Sequence, residues 1–171
     1  MNFDTCMDKE ITCLQSKQTY LDLNPGLSWK EKVAYLAHKF IGHEVECPLA
    51  QWFEDDQYVR EIEIPAGAYF IGREHTLGHL TQVYRGKMVF ITETERRIVE
   101  PPFVLYTKPS FQMVCFTLTE LIGRTYHPNS EGLKNAKTLE DRFFRPAAEV
   151  FELGRRIAER QVTGYLPGAL Q

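Results

Sequence analysis

The stretch Gly67 to Gly86, GAYFIGREHTLGHLTQVYRG, decides the reading of this chain, because it sets two histidines around a glycine in a strand-like region bounded by turn residues. His75 and His79 are four positions apart. In an unbroken strand rising ~3.3 Å per residue they would stand about 13 Å from each other, too far to share a metal ion. Gly78 lies between them, and glycine accepts backbone angles that other residues resist. A sharp bend there brings both imidazoles toward one point, and a compact polar site inside a β-barrel is the expectation.

On both sides of this stretch the pattern is β. From near Trp52 to about Pro128 short apolar runs alternate with turn residues. Tyr58 to Ile64 sets Tyr58, Arg60, Ile62 and Ile64 opposite Val59, Glu61 and Glu63, and Pro65-Ala66-Gly67 breaks the run. Further strands are predicted over Tyr69 to Glu74, Leu80 to Tyr84, Met88 to Thr92, Arg97 to Glu100, Val104 to Tyr106, Gln112 to Thr119 and Ile122 to His127. Arg85-Gly86-Lys87 and Glu93-Thr94-Glu95 read as hairpin connections. Many short strands with closely spaced turns predict a sandwich or barrel.

Helices flank the β region. Ser28 caps a helix whose apolar face carries Trp29, Val33, Leu36, Ala37, Phe40 and Ile41, and Gly42 ends it. His38 and His43 read as solvated or packing histidines there. After Asn129 to Gly132 a second helical region opens, with Thr138 and Asp141 in a capping arrangement. Pro146 restarts a helix with Val150, Phe151, Leu153, Ile157 and Ala158 as its buried stripe, while Arg155, Arg156 and Arg160 form a solvated basic face. The expected organisation is an irregular arm over 1–27, a barrel with its N-terminal helix over 28–137, and a helical extension over 138–171.

Composition narrows the class. At 171 residues one core is expected, and a net charge of −3 supplies no broad basic footprint for nucleic acid. No apolar run reaches the ~18 residues of a bilayer span, and the first twenty residues lack the apolar core of a secretion signal, so a cytoplasmic protein is expected. Cys6, Cys13, Cys47 and Cys115 show no paired spacing and read as buried free thiols. The chain contains no GxSxG elbow, no phosphate-binding GxxxxGK[ST] loop and no HExxH helix.

The spacing of the opening stretch resembles the first motif of the cupins. That motif runs from glycine through five residues to histidine, one residue to a second histidine, three or four residues to glutamate, and six more to glycine. Here Gly67 is followed at those intervals by Arg73, His75, His79 and Gly86, so Arg73 takes the first histidine position and His79 the glutamate position. The second motif resembles Lys108 to Val114, with Phe111 in place of glycine and Val114 in place of the ligand histidine. The chain is also similar to small cupin-like proteins encoded by bacteriophages, through IPAGAYFIGREH over 64–75, the hairpin glycine and the late His127-Pro128 pair.

The resemblance implies a mainly β fold, a double-stranded β-helix or jelly-roll barrel with flanking N- and C-terminal α-helices. It implies a small polar or anionic ligand in the barrel and a divalent metal, zinc, iron, nickel or manganese, held by histidines. The metal candidates are His75, His79 and His127; the ligand-binding candidates are Arg73, Gln82 and Tyr84. Arg73 offers a planar fork to an anion if it faces inward, or lies on the exterior with Glu74 inside. With a metal present the implied activities are of the dioxygenase or isomerase kind. The alternative is a non-catalytic interaction protein, a phage-encoded inhibitor or assembly factor that meets a protein partner through the flanking helices. A homodimer is expected, since pairing covers exposed strand edges.

Overall fold

The computed structural model describes residues 26–162. The expected N-terminal arm and the thiols Cys6 and Cys13 fall outside them. The first helix, α1 (Trp29–Lys39), begins where Ser28 predicts it. The Ser28 hydroxyl accepts from the Glu31 amide, and the Glu31 carboxylate accepts from the Ser28 amide at 2.9 Å, a reciprocal capping box. The Ser28 hydroxyl, 2.7 Å from the Glu31 carboxylate, and the Ser28 amide together hold the Glu31 carboxyl below the usual carboxylate range. Gly42, with φ at +82°, follows the C-cap Phe40.

Nine strands follow: Leu49–Glu54 (β1), Gln57–Ile64 (β2), Tyr69–Ile71 (β3), His79–Arg85 (β4), Met88–Ile91 (β5), Arg96–Val99 (β6), Phe103–Thr107 (β7), Val114–Thr117 (β8) and Leu121–Pro128 (β9). They form a five-stranded sheet in the order β1-β2-β9-β4-β7 and a four-stranded sheet in the order β3-β8-β5-β6. Every pairing is antiparallel. Strands β2-β9-β4-β7 facing β3-β8-β5-β6 is the jelly-roll order, a double-stranded β-helix, with β1 added at one edge by a hairpin. The fold is mainly β with flanking helices.

Two differences from the sequence reading have a local cause. Strand β3 stops at Ile71 rather than Glu74, because after the Gly72 amide bonds Met113 the chain is taken up by another partner, described below. The helix α2 (Ala136–Phe143) starts earlier than the Thr138 cap predicted, since Asn135 caps it and its Oδ1 accepts from the Thr138 amide at 3.0 Å. Strand β1 is not among the strands predicted from the sequence, because its burial does not alternate.

The last helix, α3 (Ala147–Val162), packs on α1. The compact units divide differently from the expected domains: α1 and α3 belong to one, and 45–146, which includes α2, to the other. Burial explains the division. Leu139 and Phe143 of α2 are buried with Tyr58 and Phe144 in one cluster of the barrel unit, while Ile64, Val83, Met88, Phe90, Cys115 and Leu121 form its main core. In the helical unit Arg155 pairs with Glu152 and Glu159 and Arg156 with Glu152, so the basic face is solvated as expected.

Gly154 sets how closely α1 and α3 meet. A Cβ there would lie 2.1 Å from the Ala34 carbonyl oxygen and 2.7 Å from the Cβ of His38. Intrinsic propensity alone makes Gly154→Ala stabilising by about 1 kcal/mol in a helix interior. The close contact predicts the opposite sign: thermal denaturation of Gly154→Ala is expected to show a lower midpoint than the parent protein, and a raised midpoint would remove this packing.

Candidate ligand and metal site

Strand alternation places His79 and His127 in the barrel. Along β4 the buried residues His79, Thr81 and Val83 alternate with the outward Leu80, Gln82 and Tyr84. On β9, His127 is buried and stands opposite Tyr58 of β2. His75 arrives from the β3–β4 connection. The three rings stack, with centroids 3.8 Å apart for His75 and His79, 4.9 Å for His79 and His127, and 5.3 Å for His75 and His127. One ring nitrogen from each lies within 4.8 Å of the other two.

The two imidazoles of the opening motif therefore do face one hollow, but not through a bend at Gly78. Gly78 is not among the residues of positive φ. It is small because a Cβ there would lie 2.1 Å from the Tyr106 hydroxyl, on the strand that pairs with β4. The reach across four residues comes instead from the chain leaving the sheet over 72–78.

What holds that connection is the segment following α2. His75 pairs with Phe144 in an isolated antiparallel bridge. The Thr76 amide donates to the Phe143 carbonyl at 2.9 Å, the Thr76 hydroxyl to the Arg142 carbonyl, and the Arg145 amide to the Glu74 carbonyl at 3.0 Å. Arg145 Nε donates to Glu74 Oε1 at 2.9 Å, and the Glu74 side chain is only 6% exposed. Glu74 is thus committed to structure, and sequence reasoning had no signal for the Phe143 to Arg145 strap, whose partners lie some seventy residues away.

The surroundings keep the imidazoles neutral. Phe144 lies 4.6 Å from the His75 ring and Phe143 4.9 Å from the His127 ring, centroid to centroid. Burial pushes His75 down to about 3, with the neighbouring His79 and the Arg60 and Arg73 cations acting the same way. Burial lowers His79 to about 4 and His127 to about 2. His127 Nε2 lies 3.1 Å from Thr125 Oγ1. The Nδ1 atoms of His79 and His127 are buried with no partner. Unpartnered buried polar atoms are costly, and these are neutral imidazole nitrogens, the form that ligates metal. Three such donors suit zinc, iron or nickel, so the residues present fit a metal.

A cavity of about 250 Å³ opens beside the cluster. Arg60, Arg73, His75, His79 and Thr125 line it together with Ile62, Ile64, Phe70, Met88, Met113 and Leu121. Arg73 stacks its guanidinium on Phe144 at 4.2 Å and reaches the cavity although the residue is largely exposed. Gln82 and Tyr84 are not brought to it. They lie on the outer face of the sheet, where the Tyr84 and Tyr126 hydroxyls are 2.6 Å apart and the Arg124 guanidinium sits over the Tyr84 ring. The alternation set by an inward His79 allows no other placement of Gln82. Arg60, which the strand alternation sets on one side with Tyr58, Ile62 and Ile64 and which was not among the site candidates, lines the cavity. Cys115, also a lining residue, is a buried thiol pushed up to about 12, which argues against a nucleophile.

No family model matches the chain, and no curated protein matches it in sequence. Among solved structures it is similar to a cupin superfamily protein from Desulfitobacterium hafniense, at 10% identity and a TM-score of 0.43, covering 50% of this chain and 79% of that one. It is similar to a conserved protein with a double-stranded β-helix domain from Klebsiella pneumoniae, at 13% identity and a TM-score of 0.43, covering 52% and 81%. A third is the cupin domain of an XRE family transcriptional regulator from Enterobacter cloacae, at 11% identity and a TM-score of 0.40, covering 47% and 93%. The topology rests on the strand order given above. Among the described residues no helix is long and apolar enough to cross a membrane.

The buried imidazoles predict a pH dependence of metal-free protein. Each has a folded value near 2 to 4 against 6.5 when exposed, so the unfolded chain binds protons first as pH falls. Their contribution is complete above pH 6.5 and shrinks below it, by about 1.4 kcal/mol per pH unit for each ring. Urea titrations of the chelator-treated protein are expected to show several kcal/mol less stability at pH 4.5 than at pH 7, with a shallower slope in His127→Leu. Equal stability at the two pH values would mean that the rings are already solvated.

Proposed function

We propose that this chain is a divergent cupin that binds a small organic ligand inside the barrel beside a divalent metal held by His75, His79 and His127. One observation carries the reading: three buried, neutral imidazoles, one ring nitrogen of each within 4.8 Å of the other two, and two of the rings with an Nδ1 lacking any partner. Polar atoms left so are normally satisfied by a water or an ion. The departures from the cupin motifs fit an altered ligand set. His75 keeps its place, His79 stands where glutamate is usual, and the second-motif position is the fully buried Val114, with His127 on β9 supplying a third ring.

The resident chemistry of the chain is positioning. Thr125 orients the His127 ring, and Phe143 and Phe144 exclude water from the faces of His127 and His75. A bound metal would supply a Lewis acid there and lower the pKa of a coordinated water. An all-imidazole set favours zinc, nickel or iron over the harder magnesium and calcium. Chemistry of the dioxygenase or isomerase kind is the extension of this reading, with a soluble, paired form of the protein as its setting.

Elemental analysis of untagged protein tests it. About one equivalent of transition metal per chain is expected, falling to background in His75→Ala and His127→Ala, with circular dichroism confirming that the barrel persists. Protein that arrives metal-free and takes up no zinc or nickel in a calorimetric titration would refute the metal reading.

A further inference from the structure

We infer that the ligand of this cavity is an amphipathic monocarboxylate, its carboxylate received by Arg60 beside the imidazoles and its apolar body lying along the aliphatic remainder of the barrel. The inference rests on reading the barrel interior as a ligand site.

The cavity is divided in character. Charged and polar side chains gather at the histidine end, where Arg60, Arg73, His75 and His79 lie, whereas Ile62, Ile64, Phe70, Met88, Met113 and Leu121 supply much of the remaining wall. A ligand that is polar throughout would leave these side chains facing groups stripped of water and of hydrogen-bond partners, which disfavours it. A purely apolar ligand would leave the polar end unanswered.

Arg60 identifies the polar group. Its side chain is 19% exposed, on the inner face of β2 between Tyr58 and Ile62. One Nη reaches Glu140 at 3.4 Å and the guanidinium lies over Phe144 at 4.8 Å, yet Nε is buried with no partner. A guanidinium edge with a vacant N–H is the geometry that receives a carboxylate oxygen. Arg73, stacked on the same ring, adds a second positive charge and disfavours a cationic ligand. Arg124, the third arginine of the lining, is paired with Glu61, and Glu140 offsets part of the charge of Arg60 and Arg73, so one negative charge is matched and a dianion such as phosphate is not.

Volume sets the size. A hydrocarbon-lined cavity of about 150 Å³ accommodates benzene, so about 250 Å³ has room for roughly ten to twelve non-hydrogen atoms. Octanoate has the right size, charge and shape to serve as the probe.

Calorimetric titration of the full chain with octanoate, 1-octanol, octylamine and inorganic phosphate, on chelator-stripped and zinc-loaded protein, tests the inference. Octanoate is expected to bind the stripped protein at least tenfold more tightly than the other three, and Arg60→Met to weaken octanoate at least tenfold while leaving zinc uptake unchanged. Met113→Trp, which narrows the apolar part without touching the charged end, is expected to lose octanoate but keep butyrate, and it decides the matter if Arg60→Met does not fold. Octanol binding as well as octanoate, or Met113→Trp leaving octanoate unaffected, would overturn the inference. Octanoate binding only to zinc-loaded protein, with no dependence on Arg60, would overturn the role of Arg60 and leave the metal reading standing. Octanoate binding without any zinc uptake would do the reverse.

Discussion

The antiparallel bridge between His75 and Phe144 is the contact on which the interior of the barrel depends. Without it the connection over 72–78 would keep only the bonds at its Gly72 amide, to the Met113 carbonyl at 3.0 Å, and at the His75 carbonyl, from the Ser110 amide at 2.8 Å. Three backbone and side-chain bonds from Thr76 and Arg145 reinforce the bridge, and the ion pair between Arg145 and the buried Glu74 closes it. Arg145 Nε meets the buried Glu74 carboxylate at 2.9 Å while its amide meets the Glu74 carbonyl at 3.0 Å, so side chain and backbone select the same register of the strap.

Phe144 gains several roles from that placement. Its ring covers His75 and meets His127 edge-on, while the Arg60 and Arg73 guanidinium groups lie over it. Guanidinium groups over an aromatic face are held electrostatically, so the ring positions two cations next to three imidazoles, with Glu140 3.4 Å from Arg60. The same apolar enclosure lowers the affinity of the imidazoles for protons. Neutral rings and fixed cations then coexist in one small space, an arrangement that would be unstable if the histidines were charged.

Much of the fold was readable from the chain. Alternation and turn residues located eight of the strands to within a few positions, since a sheet with one buried face writes its period into the sequence. The Ser28 cap was readable for a similar reason: a capping box is a contact between residues three apart. The site was readable in part. The spacing of His75 and His79 within the cupin-like motif and the position of His127 near the end of the last strand nominated the three rings that the structure brings within 4.8 Å of one another.

What the sequence by itself determined was therefore whatever depends on neighbours in the chain: strand periodicity, turns, caps and the parity that sends His79 and Thr81 inward. Which face Gln82 and Tyr84 would occupy followed from that parity once His79 was placed inside, although their chemistry suggested a different role. Only the tertiary structure decided that His75 is held by residues following α2, that Gly78 is small to admit Tyr106 rather than to bend, and that Arg60 belongs to the cavity. Each of these is a contact between segments far apart in sequence, and such contacts are selected by the packing of the whole barrel, which no local pattern of residue types encodes.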